Sequence, residues 1–424
     1  MESDVSIIGA GPAGLMAAIF AAEFRQRRTK TIIFEANTAA GRKLLLTGGG
    51  RCNITHDCDI KDFARAFGEK QRFVQHCLYE FSPQDLRKFF ADSGLSTKVQ
   101  EDGCVFPVSE KSSDVREVLV ARANRAGVQF LYGSPAANIE KIDKKDSVFT
   151  ISSGKGTFVS KKVIIATGGL SYPQTGSTGD GYRLAQRFGH TIIEPKAALV
   201  PLITREDWPD QLAGTTLSDI KIMATFENKK INSSGSLVFT QDGIGGPAVL
   251  DFSRLITNYL SANGKSIAVS IDTLANTNEA ELEKRFLKLC EQNPKKTLKG
   301  LLALLYPQRF AATFCERFSF DGNKIARQLE KSERKKLIKL LKVLPLTITA
   351  ARPVEEATIT HGGVSTDEIN PKTMESLVCP GLYFAGEVID IDGPCGGFNL
   401  QFAFSSGILA GKSAAESAIE SNRF

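Results

Sequence analysis

The stretch VSIIGAGPAGLMAAIFAAEF, residues 5–24, decides the fold of this chain. Val5 to Ile8 is a short apolar run typical of a buried strand, and the glycine-rich GAGPAG follows it at once. The small apolar residues after the glycines favour a helix, and Thr31 to Phe34 has the apolar pattern of a second strand. This order of strand, glycine turn, helix and strand predicts a βαβ unit at the head of a parallel sheet.

The three glycines of GAGPAG have the spacing of a dinucleotide-binding turn. Gly9 permits the tight turn, Gly11 lets backbone approach a pyrophosphate, and Gly14 lets the helix pack closely on the strand. The helix N-terminus offers N–H groups and the positive end of its dipole to the phosphates. Glu35 follows Gly14 by 21 positions, where an acid that binds a ribose diol is expected. The motif predicts a bound dinucleotide but does not separate FAD from NAD.

Two segments far along the chain favour FAD. VIIATGG (163–169) and GLYFAGE (381–387) each have the form of a buried strand that ends in small residues. DIDGPCGGFNLQFAFSSGILAG (390–411) then leads from a glycine-rich turn into a helix. Glu387 could accept a hydrogen bond from a ribityl hydroxyl, and the helix that begins near Asn399 could direct its N-terminus at the flavin pyrimidine ring. An NAD enzyme has no need of this second element.

These motifs carry a family resemblance. GAGPAG, Glu35, ATGG and FAGE resemble the glutathione-reductase-type FAD proteins. TGGGRCN, ATGGLSYPQTGSTGDGY, LVFTQDGIGGPAVLDFS and GPCGGFNLQFAFSSG resemble, more narrowly, the BaiN-like (YhiN-type) bacterial flavoproteins over nearly the whole chain. The resemblance implies an α/β fold with a Rossmann-like FAD-binding domain built from both chain ends. We expect that domain in residues 1–195 and 345–424, a small β-barrel in 196–275 and a helical subdomain in 276–344.

The expected cofactor is FAD. We predict Arg51 as a cation near the pyrophosphate, with close backbone approach at Gly48 to Gly50. The residues predicted to contact FAD, from the motifs and from the resemblance, are Gly9, Gly11, Pro12, Ala13, Gly14, Glu35, Ala36, Arg42, Lys43, Gly49, Gly50, Arg51, Cys52, Asn53, Ala166, Thr167, Gly168, Gly386, Glu387, Gly397, Asn399, Leu400 and Gln401.

The resemblance implies an FAD-dependent oxidoreductase in which flavin N5 exchanges hydride with a small organic substrate, such as an activated C=C bond. NAD(P)H is a candidate donor, and no second GxGxxG occurs in the middle or C-terminal half. The donor therefore either visits transiently or is another molecule. Cys395, Tyr172 and His361 are candidate proton donors, and each has an ordinary structural alternative, so the catalytic residues stay unassigned. No metal site is expected.

A cysteine pair offers a different activity. Cys52 and Cys58 enclose five residues, whereas flavin disulfide reductases place a CxxxxC pair near this position. The spacing is one residue too long, so we favour a cradle for FAD with Cys52 as a small neighbour. A thiol–disulfide oxidoreductase that uses Cys52 remains an alternative.

Composition sets the remaining expectations. The chain has 424 residues, 42% hydrophobic and 24% charged, with a net charge of +6. The basic stretch KSERKKLIKLLKVL (331–344) is typical of an amphipathic helix with a solvated basic side, and we do not expect a nucleic-acid or membrane partner. An FAD-containing protein that binds RNA through this insertion is the third hypothesis. Eight irregularly spaced cysteines and no export signal predict that the protein lies in a reducing cytoplasm. The sequence does not indicate an oligomeric state.

Overall fold

The structure, a computed structural model, describes residues 2–26, 29–142, 148–226, 229–263 and 266–420. The chain divides into two compact units, residues 1–196 with 359–424 and residues 197–358. The first unit is therefore assembled from both ends of the chain.

Both units contain strands and helices. The strands are β1 (Glu2–Ile8), β2 (Thr31–Phe34), β3 (Thr55–His56), β4 (Thr97–Val99), β5 (Cys104–Pro107), β6 (Gln129–Leu131), β7 (Ala136–Ile142), β8 (Val148–Ser153), β9 (Gly156–Ile165), β10 (Ile192–Ala198), β11 (Leu202–Thr204), β12 (Thr216–Phe226), β13 (Lys229–Thr240), β14 (Gly243–Gly245), β15 (Ile267–Asp272), β16 (Leu344–Ala351), β17 (Ile359–Val364) and β18 (Leu382–Phe384). The helices are α1 (Pro12–Ala22), α2 (Ile60–Arg65), α3 (Gln71–Glu80), α4 (Pro83–Asp92), α5 (Ser112–Arg125), α6 (Asp180–Arg187), α7 (Pro247–Asn263), α8 (Glu279–Gln292), α9 (Leu298–Leu302), α10 (Gln308–Arg317), α11 (Lys331–Lys342) and α12 (Phe398–Glu420).

The main sheet of the first unit has, among the described residues, seven strands in the order β6-β2-β1-β9-β8-β7, with β18 also paired to β9. The pairs β6–β2, β2–β1, β1–β9 and β9–β18 are parallel, whereas β7, β8 and β9 form an antiparallel meander. The parallel strands are apolar and buried because helices cover them; α1 and α12, for instance, both contact β1 and β9.

Close packing of α1 and α12 joins the two chain ends. A Cβ built on Gly407 would lie 2.3 Å from the Ala13 carbonyl oxygen, and one on Gly411 would lie 2.2 Å from that of Ala17. Only glycine at these two positions, one helical turn apart, allows the helix backbones to approach so closely. The small residues that α1 presents at this contact explain the alanine-rich sequence after GAGPAG.

The second unit contains a closed barrel with helices packed on its core. Within its described residues, β11-β14-β13-β12-β15-β16 close into a barrel of six antiparallel strands. Its buried core continues into the aromatic residues Trp208, Phe239, Phe310 and Phe314, and into the leucines of α8 and α11. The predicted fold class, a Rossmann-like α/β domain with a small barrel and helices between its two halves, is confirmed.

Within the described residues, no helix combines the length and the apolar character needed to cross a membrane.

Candidate active site

The carboxyl ends of four parallel strands meet at one edge of the main sheet. Ile8 pairs with both Phe34 and Ile165, and Phe384 pairs with Ile165. The loops that follow these residues, beginning at Gly9, Glu35, Ala166 and Ala385, therefore leave the sheet side by side. This edge is where open α/β sheets bind their ligands.

The GAGPAG turn has the close contacts that its sequence predicts. A Cβ on Gly9 would lie 2.6 Å from the Ala166 carbonyl oxygen, and one on Gly14 would lie 1.9 Å from the Gly9 carbonyl oxygen. A Cβ on Gly11, in contrast, would meet no atom within 4 Å. Gly9 and Gly14 are therefore required by packing, and Gly11 leaves space in front of the N-terminus of α1, where a phosphate group can approach.

Glu35 is 7% exposed and accepts hydrogen bonds from both sides. The Ala10 N–H donates to its Oε2 at 2.8 Å, and the Asn37 N–H and Nδ2 donate to its Oε1 at 2.8 and 2.7 Å. Arg42 Nη1 donates in turn to Asn37 Oδ1 at 2.7 Å. The carboxylate is thus held by neutral donors and fixes the glycine turn against the end of β2.

Lys43 and Glu387, 344 positions apart, form the centre of a polar cluster. Lys43 Nζ lies 2.8 Å from Glu387 Oε2 and 2.5 Å from Ser171 Oγ, and Ser171 Oγ donates to Glu387 Oε1 at 3.1 Å. The Thr360 N–H donates to the same Oε1 at 2.9 Å. Lys43 and Glu387 have side chains 20% and 22% exposed. Glu387, which was predicted to accept a hydrogen bond from a ribityl hydroxyl, is therefore already paired with the Lys43 ammonium group.

The backbone of TGGGRCN takes an unusual course. Four residues within five positions have positive φ, namely Gly48 (57°), Gly49 (65°), Gly50 (86°) and Cys52 (63°). A Cβ on Gly49 or Gly50 would meet no atom within 4 Å. The Arg51 and Cys52 N–H groups donate to the Gly48 and Thr47 carbonyls at 3.3 and 2.9 Å, so they hold this turn in place. The exposed Gly49 and Gly50 leave room for a phosphate group to approach the backbone, as the expected cradle requires.

The side chains of the same segment turn toward β5. The Arg51 guanidinium carbon lies 4.4 Å from the centroid of the Phe106 ring, and its Nε donates to the Gly48 carbonyl at 3.4 Å. Asn53 Oδ1 accepts from the Val105 N–H at 3.2 Å. Arg51 is held by an aromatic face, an arrangement that the sequence did not indicate.

The C-terminal glycine loop packs on this segment. A Cβ on Gly397 would lie 2.5 Å from the Thr55 carbonyl carbon, and the Gly396 carbonyl lies 3.2 Å from His56 Nδ1. Asn399 closes the loop, since its Nδ2 donates to the Gly393 carbonyl at 2.9 Å and its Oδ1 accepts from the Gly393 N–H at 2.7 Å. The structure thus brings the segment 44–58, which contains TGGGRCN, together with the GPCGG loop, residues 393–397.

The predicted residues are not all presented to a ligand. Gln401 is fully buried and its Nε2 donates to the Phe81 carbonyl at 3.1 Å, whereas its Oε1 has no hydrogen-bond partner among the described residues. Gly386 lies between α1 and α12, where its Cβ would be 2.8 Å from that of Ala13. The remaining predicted residues have partly or fully exposed surfaces in the loops and helix ends at this edge, and they are Pro12, Ala36, Thr167, Gly168 and Leu400.

The two cysteines of the segment are held as thiols. Burial raises the pKa of the Cys52 thiol to about 12, although a hydrogen bond with Thr47 acts in the opposite direction. Burial raises the pKa of the Cys58 thiol to about 11, and the carboxylates of Asp62, Asp57 and Asp59 add to the increase. Neither forms a disulfide in the described chain. Because thiol–disulfide exchange needs a thiolate, these pKa values do not favour the thiol–disulfide alternative.

His361 and Asp392 form a second polar pair beside the Lys43–Glu387 cluster. His361 Nδ1 lies 2.7 Å from Asp392 Oδ1, and their side chains are 34% and 11% exposed. Their positions are fixed because β17 runs beside the segment after β18, with Val364 bridged in parallel to Ile389. A carboxylate on Nδ1 orients an imidazole and leaves Nε2 as its second proton-carrying atom. Of the three candidate proton donors, His361 has this geometry.

Several residues of the site had no clear signal in the sequence. Ser171 and Thr360 belong to loops whose composition resembles that of other turns, and Phe106 lies on a short strand 55 positions from Arg51. Asn37 also had no sequence signal of its own, although it lies only two positions after Glu35 and bonds back to its carboxylate.

The cradle fits FAD. Four features match a dinucleotide whose other half is a flavin. They are the open N-terminus of α1, the glycine turn at 48–50, the buried carboxylate at the end of β2 and the second strand-end loop from the C-terminal part. Comparisons with known proteins agree. Residues 3–413 match the family described as HI0933-like protein Rossmann domain. The chain belongs to this family.

Two relatives cover almost the whole chain. A 3-dehydro-bile acid delta(4,6)-reductase of Clostridium scindens is 32% identical over 97% of this chain and 99% of that protein. A ribosomal RNA dihydrouridine synthase of Haemophilus influenzae is 34% identical over 95% of this chain and 96% of that protein. Among solved structures, 3-ketosteroid delta1-dehydrogenase from Sterolibacterium denitrificans shares the fold, with a TM-score of 0.55, 13% identity and coverage of 98% of this chain and 100% of that one. The chain is an oxidoreductase of the FAD-binding Rossmann class, and the predicted BaiN-like family is confirmed.

Proposed function

We propose that this protein reduces a C=C bond conjugated to a carbonyl group, and that its substrate is a uridine of ribosomal RNA. Both curated relatives support the reaction class. Dihydrouridine differs from uridine by two hydrogens across the C5=C6 bond, which is conjugated to the C4 carbonyl. A 3-dehydro steroid with double bonds at positions 4 and 6 carries the same conjugated arrangement. One site chemistry therefore serves both substrates.

The distribution of charge carries the choice of RNA over a steroid. Residues 279–342 hold 16 lysines and arginines against 8 aspartates and glutamates, whereas all other residues together hold 37 against 39. A small neutral or monoanionic substrate does not need such a concentration of positive charge, but a polyanion does. The steroid-like enone is the second candidate, favoured by the similarity to the bile acid reductase over nearly the full length of both chains.

In this proposal each part of the site has a defined task. Gly11, the glycine turn at 48–50 and Glu35 would hold FAD, which supplies hydride chemistry when bound. The Lys43–Glu387 pair keeps the loop after β18 fixed against Ser171 and β17. His361 Nε2 would deliver the proton to the carbon next to the carbonyl, while Asp392 holds the imidazole in orientation.

The electron donor is proposed to be NADH or NADPH. The purified protein, loaded with FAD under anaerobic conditions, should lose flavin absorbance on addition of one of the two nucleotides. Bleaching by the nucleotide reports the reductive half-reaction, and reoxidation of the flavin by an added acceptor reports the oxidative half-reaction. If the protein takes up no FAD, or if both nucleotides leave the flavin oxidised, this part of the proposal fails.

The substrate is tested on RNA from cells. Ribosomal RNA from a strain that lacks the gene should lose dihydrouridine, seen in nucleoside mass spectrometry as a missing species of the mass of uridine plus two hydrogens. Expression of this chain should restore it, and expression of a Gly11→Val variant, which fills the open space in the phosphate cradle, should not. An unchanged dihydrouridine content, together with turnover of a steroid enone by the purified enzyme, would favour the second candidate.

A further inference from the structure

The positive charge of residues 279–342 is not balanced by acidic residues in the same part of the chain. Five of the eight acidic residues in this part act at helix N-termini or in interhelical ion pairs, and they are Glu279, Glu281, Glu283, Glu330 and Glu333. Arg334 pairs with Glu283 at 2.9 Å and Lys324 with Glu333 at 2.7 Å. The acids therefore stabilise the helices and leave most of the lysines to face solvent.

Two rows of lysines lie on the solvent sides of α8 and α11. Lys284 and Lys288 are four positions apart on α8, and Lys331, Lys335 and Lys339 follow the same spacing on α11. All five are exposed, and in the described part of the chain none lies within ion-pair distance of a carboxylate. Both helices bury their leucine and phenylalanine side, so the lysines project outward.

The two rows of lysines destabilise their helices, so they are not there to stabilise the fold. Like charges four positions apart on a helix repel one another, and neutral polar residues would relieve this repulsion. α8 and α11 pack together and are joined by the Glu283–Arg334 pair, so both rows belong to one rigid part of the molecule. Lysines about 6 Å apart along each helix present a regular series of ammonium groups to a polyanion.

We propose that the outer surface of α8 and α11, defined by Lys284, Lys288, Lys331, Lys335 and Lys339, binds the phosphate backbone of RNA. Ammonium groups on flexible stems contact phosphates as point charges without reading bases, so this surface supplies affinity and not sequence choice. Its biological meaning rests on the proposed ribosomal RNA substrate, although its binding is measured independently of reduction.

The test is the salt dependence of RNA binding by the FAD-loaded full-length protein. The probe is an oligouridylate of about 30 nucleotides, and its affinity is followed by fluorescence anisotropy over a series of salt concentrations. Replacing the five lysines by glutamine should weaken binding at least about tenfold at moderate salt and reduce the slope of log affinity against log salt by about two to five, since each lost phosphate contact removes about one.

A matched control removes the same charge elsewhere. It replaces five exposed basic residues of the first unit by glutamine, and these are Lys30, Lys61, Arg125, Lys155 and Lys372. Both variants have a net charge of +1, against +6 for the parent, so a general charge effect would weaken both equally. The inference requires that the control keep the slope of the parent. Equal loss in both variants overturns it.

Three further outcomes are decisive. A variant with arginine at all five positions keeps the charge and should retain RNA binding. It tests the proposal even if circular dichroism shows that the glutamine variant is unfolded. Binding to vesicles of anionic lipid with no RNA binding would overturn the proposal in favour of a membrane surface. Normal RNA binding through the five lysines with no dihydrouridine in ribosomal RNA would refute the proposed function and leave the surface assignment standing.

Discussion

Two carboxylates lie against strand β17, and the structure pairs them differently. Glu387 accepts hydrogen bonds from the Thr360 N–H and the Ser171 hydroxyl, and it forms an ion pair with Lys43. Asp392, five positions later, contacts the imidazole of His361, the residue that follows Thr360 on β17. An imidazole has two ring nitrogens that can carry a proton. One pair fixes charge, and the other can transfer a proton.

The difference assigns separate tasks to neighbouring parts of one site. The Lys43–Glu387 pair joins residues from the two ends of the chain, and its removal should act mainly on folding and on the shape of the loop. The His361–Asp392 pair is half-exposed on the imidazole side, and its removal should act mainly on turnover. The following predictions test this separation, beginning with the largest effect.

Replacing His361 by glutamine should lower the turnover of the reductase about hundredfold, because a positioned general acid contributes about this much or more. FAD content and thermal stability should stay near those of the parent. The measurement is steady-state turnover of the parent and the variant, with kcat and KM determined separately. Asp392→Asn should cause a smaller loss. The exposed His76 offers a control, since His76→Gln should change nothing. Full activity of H361Q would remove the proposed distinction between the two pairs.

Replacing Lys43 by methionine should destabilise the protein by about 3 kcal/mol, since it leaves a partly buried carboxylate without its cation. Glu387→Met should have a similar effect, and the double variant should recover a coupling of about 1–3 kcal/mol. Urea unfolding of the four proteins in one cycle measures this. Additive losses would mean that the ion pair contributes no coupling and that Ser171 and Thr360 hold the loop by themselves.

The sequence predicted the strands and glycine turns of this edge, since their signals are local: the spacing within GAGPAG, the acid 21 positions later, and the small residues at the ends of VIIATGG and GLYFAGE. It did not reveal which carboxylate meets which cation. Lys43 and Glu387 are 344 positions apart, and only the parallel pairing of β9 with both β1 and β18 brings them together. Arg51 illustrates the same limit, because its stacking on Phe106 depends on β5.

Glu35 provides a third arrangement, a carboxylate held by neutral donors alone in its described contacts. Replacing it by glutamine puts an NH2 group against an N–H donor, so we expect a loss of about 1–2 kcal/mol in unfolding free energy. FAD affinity should fall at least about tenfold, because the Ala10 N–H belongs to the glycine turn. Isothermal titration of the apoprotein with FAD measures this. Glu23→Gln, which touches only an exposed pair with Arg122, should leave FAD binding unchanged.

Cys52 completes the comparison as an acidic group kept neutral, since burial raises its pKa from 9.0 to about 12. A pKa raised by folding gives stability that is full below pH 9 and is lost as the pH rises toward 12, because the unfolded chain releases the proton first. The parent should therefore lose stability above pH 9 faster than Cys52→Ala, by up to about 1.4 kcal/mol per pH unit. Urea unfolding at about pH 8 and about pH 10.5 compares the two proteins. Parallel curves would mean that Cys52 ionises in the folded protein, and the thiol–disulfide alternative would regain support.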